Sequence, residues 1–194
     1  MIQYPKGQKQ LSRTTKSQTI QTNYSSRGMG LENILNQTNE LYRLQKRAVI
    51  HKKPTPIQVV KVNYPARSAA QITEAYYRHA STTDYNGVYK GRYIDFEAKE
   101  TKNKTSFPLK NIHQHQLNHM NECCEQGGIV FFIFYFSSLK EYYLLEYKMI
   151  EEFIKESIST RQSIPLTYIQ EKGKTIQLSL QMTLNYLDAV DTLL

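Results

Sequence analysis

The sequence predicts an α/β domain in which a central β-sheet is flanked by helices. Three observations predict this class. Residues 129–136 form an apolar run rich in β-formers between a glycine and a serine, which is typical of a strand buried on both faces. Apolar side chains recur at helical spacing from Leu31 to about Arg47, which indicates an amphipathic helix. Apolar and polar residues alternate at 92–99, as in a strand with one buried face.

The chain is predicted to hold one domain preceded by a disordered segment. With 194 residues, of which 40% are hydrophobic, it is long enough to bury a core. Residues 1–25 contain no acidic side chain and show no apolar period, so they cannot bury enough surface to offset chain entropy. We therefore expect a disordered basic N-terminal arm at 1–25 and a single domain at 26–194.

A projecting arm is predicted after the first helix. The strand candidate at 48–51 is stopped by two prolines, which lack a backbone donor and restrict the residues before them. Residues 57–64 alternate like a strand, and we place the arm at about 54–67. From Ser68, a suitable N-cap, the apolar spacing predicts a second helix that reaches His79.

Strands and helices alternate in the rest of the chain. Gly127 has the residue type favoured just after the last turn of a helix, so it marks a helix end. By the same periodicity rules we predict strands at 82–88, 92–99, 129–136 and 142–145, and helices at 109–126, 148–156 and 183–194.

Charge separates the chain into a basic part and an acidic part. Residues 1–120 carry 19 basic and 7 acidic side chains, whereas residues 121–194 carry 6 and 10. A solvated face would normally mix both signs, and a net charge of +8 for the whole chain favours a polyanionic partner. The first two thirds of the chain are therefore predicted to bind nucleic acid.

Several classes of protein are disfavoured by simple counts. The longest apolar run has eight residues, far short of the ~20 that a membrane helix needs, and no apolar segment follows the first basic residues as in a signal peptide. Cys123 and Cys124 are the two cysteines of the chain, too few for a disulfide framework or a cysteine zinc site. We expect a cytoplasmic, nucleoid-associated protein with no membrane partner.

The segment at 82–99 is the one that indicates chemistry. A period of two places Asp95, Glu97 and Lys99 on one face of the strand at 92–99. A short turn at 89–91 would fold Asp84 back beside Glu97, so two carboxylates and an ammonium would meet. Carboxylate oxygens are hard ligands that suit Mg²⁺, and a nearby lysine can orient water and neutralise a phosphorane-like transition state. These are the needs of phosphodiester hydrolysis, although a charged outer face of an ordinary strand would show the same alternation.

The spacing of Asp84 and Glu97-Ala98-Lys99 resembles the signature of PD-(D/E)xK nucleases. A longer set of motifs resembles the RecU family of Holliday junction resolvases. Residues 26–29 and the region up to about Phe132 also fit that family. The motifs are HKKPTP at 51–56, YP at 64–65, RSAA at 67–70, STTDYNG at 81–87 and KGRYIDFEAKETKNKTSFPL at 90–109.

The resemblance implies a restriction-endonuclease-like fold, with a mixed central sheet and a projecting arm, and roles for single residues. Asp84, Glu97 and Lys99 would be catalytic, with Lys99 stabilising the transition state. The two carboxylates would bind Mg²⁺, for which Mn²⁺ could substitute, and Thr82 and Gln116 would complete the ligand set. The implied activity is Mg²⁺-dependent resolution of four-way DNA junctions by paired symmetric nicks, in recombination and repair.

Partners and DNA contacts follow from the arm and from the substrate. Basic residues surround the arm and are predicted to bind branched DNA: Lys52, Lys53, Lys61 and Arg67. A junction needs two nicks and each chain has one Asp84, Glu97 and Lys99 set, so we expect a two-fold symmetric homodimer. Recombinases and branch-migration proteins are further candidate partners.

Other residues leave alternatives open. Asp95 is either a ligand of a second metal or water, or a solvated strand residue, and Glu32 either reaches the active site or favours its helix dipole. His115, His119 and Cys123 share a helix face, but a straight helix offers an ion two neighbouring ligands, so zinc is disfavoured. Two other functions also remain open: a duplex-cutting restriction-type nuclease, and a non-catalytic DNA-binding or recombinase-regulating protein.

Overall fold

The computed structural model describes residues 30–78, 82–157 and 161–194. The disordered arm predicted at 1–25 lies outside these ranges. The helices are α1 (Leu31–Leu44), α2 (Gln114–Glu125), α3 (Tyr147–Ser157), α4 (Leu166–Lys172) and α5 (Tyr186–Asp191), with short 3₁₀ turns at Arg67–Ala69 and Leu109–Asn111. The strands are β1 (Val49–Lys52), β2 (Ile57–Asn63), β3 (Gln71–Tyr77), β4 (Tyr85–Tyr89), β5 (Arg92–Thr101), β6 (Ser106–Pro108), β7 (Ile129–Phe136), β8 (Glu141–Glu146), β9 (Ser163–Pro165) and β10 (Lys174–Ile176).

Six strands form the central sheet in the order β1-β4-β5-β7-β8-β10. The sheet is mixed, because β5 and β7 run parallel while the other neighbours are antiparallel. The predicted mixed sheet flanked by helices is confirmed. None of the helices in the described ranges has the length and apolar character needed to cross a bilayer.

The strand β7 divides the core between the two faces of the sheet. Ile129, Phe131 and Ile133 pack on one face with α1 and α5, whereas Val130 and Phe132 pack on the other face with α2, α3 and α4. The prediction that this strand is buried on both faces is confirmed. The same alternation on β5 sends its apolar residues towards α1 and its acidic residues towards α2.

The hairpin β4–β5 sets the register that matters for function. Lys90 and Gly91 form its two-residue loop with φ angles of 49° and 75°, as a type I′ turn requires. Gly87 lies where β1 crosses close to β4, since a Cβ there would fall 2.0 Å from the Val49 carbonyl oxygen. The predicted strand pair is confirmed, although β4 begins at Tyr85 and β5 continues to Thr101.

The projecting arm is an antiparallel hairpin of β2 and β3, and all residues of both strands are exposed. The helix predicted at 68–79 is therefore wrong. Ile72, Thr73 and the tyrosines at 76 and 77 are good β-formers, and β2 offers them backbone partners. Within the described strands of the arm every residue is exposed, so the buried apolar face that an amphipathic helix needs is missing there. The described hairpin reaches Tyr77, beyond the 54–67 expected for the arm.

Smaller differences concern element ends. The segment predicted as a helix from residue 109 is a 3₁₀ turn at Leu109–Asn111 followed, after extended backbone at residues 112–113, by a separate α-helix that begins at Gln114. The last helix spans 186–191 rather than 183–194. The three-residue strands β6, β9 and β10 are too short to show a period of two. Helix α4, with seven residues, is likewise shorter than periodicity can identify.

Candidate active site

The hairpin β4–β5 brings two carboxylates together. Tyr85 pairs with Phe96, so Asp84, just before β4, lies opposite Glu97. The Asp84 backbone N–H donates to Glu97 Oε2 at 3.0 Å, and the Ala98 N–H donates to Asp84 Oδ2 at 3.3 Å. The neighbourhood expected from the turn is therefore present, and each carboxylate is oriented by a backbone donor.

Lys99 follows Glu97 on the same face of β5 and completes the predicted trio. Its Nζ lies 2.9 Å from Glu97 Oε1, and 13% of its side chain is exposed. Because the ammonium is largely removed from water, its charge is screened less than that of a surface lysine. The arrangement pairs one cation with Glu97, whose other carboxylate oxygen accepts from the Asp84 backbone.

Gln116 joins the trio from helix α2. Its Nε2 donates to Glu97 Oε1 at 2.7 Å, while its Oε1 accepts hydrogen bonds from Lys99 Nζ and from the His113 backbone N–H, both at 3.1 Å. The second of these closes a capping box, so the start of α2 fixes the side chain. Two donors face Oε1, which settles the orientation of the amide. Gln116 therefore bridges Glu97 and Lys99, with its carbonyl oxygen already engaged.

The electrostatics of the pair differ from those of an exposed carboxylate. Burial, and then the charge of Asp84, raise the pKa of the Glu97 carboxyl to about 7, against the opposing effect of Lys99. Two carboxylates in one site repel each other, and a divalent cation would remove that cost. The donor set therefore fits a hard cation. The hydrogen bond described for the Thr82 hydroxyl is to the Thr83 carbonyl oxygen at 3.5 Å, and not to either carboxylate.

A cleft beside Asp84 contains charged residues from three elements. Glu32 of α1 and Lys52 of β1 form an ion pair of 2.5 Å at its edge, and Glu100 of β5 also lines it. Glu32 thus lines the same cleft as Asp84, as one hypothesis required, and Lys52 pairs with it. Glu100 was missed by the sequence reasoning, although its place directly after Lys99 was a signal.

The residues predicted to bind DNA are dispersed. Lys61 lies on the exposed face of the arm, opposite Glu74. Lys53 does not extend into solvent: 18% of its side chain is exposed, and its Nζ lies 2.9 Å from Asp95 Oδ2. The side chain of Arg67 lies outside what the structure describes. Asp95 is completely buried, so the interpretation of it as a solvated strand residue is wrong.

Comparison with known proteins identifies the family of the chain. The family model for RecU, Recombination protein U, matches residues 26–192. The chain belongs to the RecU family. The resemblance drawn from residues 26–132 is therefore confirmed, and RecU membership extends to the C-terminal 60 residues, which contained few diagnostic motifs.

Three curated RecU relatives, each named Holliday junction resolvase RecU, match nearly end to end. The protein of Geobacillus kaustophilus is 52% identical over 98% of this chain and 96% of its own length, and that of Oceanobacillus iheyensis is 51% identical over 99% of both. The protein of Staphylococcus saprophyticus is 50% identical over all of this chain and 96% of its own. A solved structure of the resolvase Hjc of Archaeoglobus fulgidus covers 72% of this chain and 93% of its own, with a TM-score of 0.40 and 10% identity, too distant for argument.

Proposed function

We propose that this RecU-family chain is an endodeoxyribonuclease that resolves four-way Holliday junctions by paired symmetric nicks, in DNA recombination and repair. One observation carries the proposal: Asp84, Lys99 and Gln116 all contact the buried Glu97. Burying one carboxylate beside another is unfavourable, so a cluster with a purely structural role gives no reason for it. The names of relatives about half identical over the whole chain supply the class of substrate.

The cofactor we propose is Mg²⁺, with Mn²⁺ as a substitute. Asp84 and Glu97 would hold the ion, because both carboxylates face one place and the pKa of Glu97 is raised to about 7. Thr82 and Gln116 are proposed as further ligands, which for Gln116 requires that its Oε1 exchange a hydrogen bond for the ion. When bound, the ion supplies a Lewis acid for the scissile phosphate and lowers the pKa of water.

Lys99 is the proposed transition-state stabiliser. An ammonium beside Glu97 and held by Gln116 has its direction fixed before the substrate arrives, so little reorganisation is needed as negative charge develops on the phosphate. Lys99 also orients the attacking water. Glu97 pairs with the amine, and Gln116 positions both side chains.

The arm supplies the proposed selectivity for branched DNA. Lys61 lies on it, and Lys52 lies at its base beside the active-site cleft, where each could contact phosphate. Its exposed apolar residues, which include Ile57, Val59, Val60 and Val62, favour partial burial against a second copy. A two-fold symmetric homodimer would place two active sites on the two strands that must be nicked. Recombinases and branch-migration proteins remain candidate partners, and the cytoplasmic nucleoid is the proposed location.

The test is a cleavage assay with four-way junction, matched linear duplex and single-stranded DNA, each in Mg²⁺ or in EDTA. We expect paired nicks in the junction, in Mg²⁺ alone, with little cleavage of the duplex. Equal cleavage of junction and duplex would favour a restriction-type nuclease. Junction binding without cleavage in Mg²⁺ or Mn²⁺ would favour a non-catalytic DNA-binding protein and would overturn the proposal.

A further inference from the structure

A second polar cluster lies beside the candidate active site, between β5 and α2. It contains Asp95, which is completely buried, and two residues of α2 separated by four positions, His119 and Cys123. Residues four apart on a helix share a face. Here that face is turned towards β5, so the helix and the strand together present a carboxylate, an imidazole and a thiol. None of these three residues belongs to the Asp84 and Glu97 site.

The ligand atoms of the three side chains lie within 4.8 Å of one another, and His119 has the separations from the other two that are expected around one tetrahedral ion. His119 Nε2 lies 3.2 Å from Asp95 Oδ2 and 3.5 Å from Cys123 Sγ. Zinc bonds of ~2.0–2.1 Å to nitrogen and oxygen and ~2.3 Å to sulfur, at tetrahedral angles, place nitrogen and oxygen about 3.3 Å apart and nitrogen and sulfur about 3.6 Å apart. The imidazole nitrogen is therefore already spaced from the carboxylate oxygen and from the sulfur as a zinc ion would hold them. The earlier objection that one helix supplies two ligands no longer applies, because the strand supplies a third.

Lys53 is the cation that the structure places against these atoms. Its Nζ lies 2.9 Å from Asp95 Oδ2 and 3.4 Å from His119 Nε2. The ammonium and the Asp95 carboxylate cancel each other while Cys123 is a thiol. A Zn²⁺ ion with the carboxylate and a thiolate would also sum to zero, once Lys53 had turned to solvent. Both arrangements satisfy the requirement that a buried carboxylate be compensated.

From this geometry we infer that Asp95, His119 and Cys123 form a Zn²⁺ site, separate from the active site, in which the ion takes the place of the Lys53 ammonium. Nitrogen and sulfur ligands select zinc over Mg²⁺, which prefers oxygen, so the two ions would sort between the two sites. Three protein ligands leave a fourth position for water. Bound zinc would join α2 to β5 next to the Gln116–Glu97 contact, since Asp95 lies two residues before Glu97 and His119 three residues after Gln116.

The test is metal titration of the purified, metal-free full chain. We expect the thiolate-to-metal charge-transfer band to saturate at one Co²⁺ ion per chain, whatever further Co²⁺ the Asp84 and Glu97 site takes up, and we expect Zn²⁺ to displace the band. Cys123→Ser should remove the band and weaken Zn²⁺ binding by about tenfold or more, since even outer-shell losses commonly cost about 10–100-fold. Cys124→Ser is the matched control and should bind like the unaltered chain. Lys53→Met should strengthen Zn²⁺ binding, because the competing ammonium is gone.

Other results would overturn the inference. The zinc site is contradicted if neither Co²⁺ nor Zn²⁺ binds stoichiometrically, or if Cys123→Ser keeps the charge-transfer band. The proposal that the ion takes the place of the Lys53 ammonium is contradicted if Lys53→Met does not bind Zn²⁺ more tightly. The double variant Asp84→Asn with Glu97→Gln must retain the band, because loss there would assign the ion to the active site. His119→Gln provides a second ligand variant if Cys123→Ser folds poorly, as monitored by circular dichroism. Since the readout is metal binding, the outcome is independent of whether the chain cleaves junctions.

Discussion

Asp95 and Glu97 lie two residues apart on the same face of β5, yet their surroundings differ in charge. Asp95 is surrounded by donors: Lys53 at 2.9 Å, the Tyr93 hydroxyl at 2.8 Å and the Thr83 hydroxyl. Glu97 meets one ammonium, one amide and a second carboxylate, and its pKa rises to about 7. Burial of a carboxylate alone therefore does not mark an active site. The buried carboxylate whose charge is incompletely balanced is the one suited to recruiting a cation and substrate.

The largest effect should follow from removing either carboxylate of the proposed metal site. We expect Asp84→Asn or Glu97→Gln to abolish junction cleavage while junction binding is retained, because affinity comes mainly from phosphate contacts elsewhere. The measurement is nicking of a labelled four-way junction in Mg²⁺, with binding followed by gel shift.

Glu40→Gln is a suitable control for that experiment, since Glu40 is exposed on α1 and pairs with Arg43. It should cleave normally. Full activity in Asp84→Asn or Glu97→Gln would show that these carboxylates are not the metal ligands. The Glu97 cluster would then have a structural role only, like the Asp95 cluster.

The second effect concerns the amine of the active cluster. Lys99→Ala should lower the single-turnover rate by roughly 10² or more, which is typical for the loss of one transition-state stabiliser. The Mg²⁺ concentration that gives half the rate should change little. Lys102→Ala, three residues further along the chain, controls for charge, and an unchanged rate in Lys99→Ala would contradict the assigned role.

Replacing Asp95 should damage the fold instead of the chemistry. Asp95→Asn leaves Lys53 largely buried without its anion, and breaking such a pair typically costs about 3–5 kcal/mol. We expect a clear fall in the free energy of unfolding in urea, with cleavage per folded molecule near normal at low temperature. If stability is unchanged while cleavage is lost, Asp95 belongs to the active site and the contrast between the clusters is wrong.

The sequence predicted one cluster better than the other for a physical reason. Asp84 and Glu97 meet through a short hairpin, where turn chemistry and a period of two determine the register. Gln116 was named through family resemblance, because nothing in its own segment indicates a partner 19 positions away. The contact of Lys53 with Asp95 joins segments 42 positions apart through the packing of β1 on β4, which local patterns do not encode. The arm strand at 71–77 was missed for the same reason, since its partner β2 decides its structure.

The pH dependence of stability should sharpen the contrast further. The native pKa of Glu97, about 7, exceeds its ordinary value of 4.5, so the native state binds more protons than the unfolded state between those values. Stability in EDTA should therefore fall as pH rises from about 4.5 to 7. Glu97→Gln should remove this part of the slope and gain on the order of 1–3 kcal/mol at pH 8 relative to the unaltered chain. Thermal unfolding of both proteins at pH 4.5 and pH 8 measures this difference in stability. Added Mg²⁺ should stabilise the unaltered chain but not Glu97→Gln. Parallel pH profiles for the two proteins would contradict the raised pKa of Glu97.

The smallest effect separates the two lysines predicted to bind DNA. Lys61 is exposed on β2, whereas Lys53 neutralises Asp95 inside the second cluster. Lys61→Ala should reduce the dependence of junction affinity on salt by about one unit of log–log slope, because one phosphate contact is lost, and leave the melting temperature unchanged. Lys53→Ala should show the reverse, with a lower melting temperature and little change in slope. Binding isotherms between low and moderate salt, paired with thermal melts of the same variants, measure both quantities. A salt slope that falls in Lys53→Ala as much as in Lys61→Ala would mean that Lys53 leaves Asp95 for the phosphate when DNA binds, and the second cluster would then be part of the DNA interface.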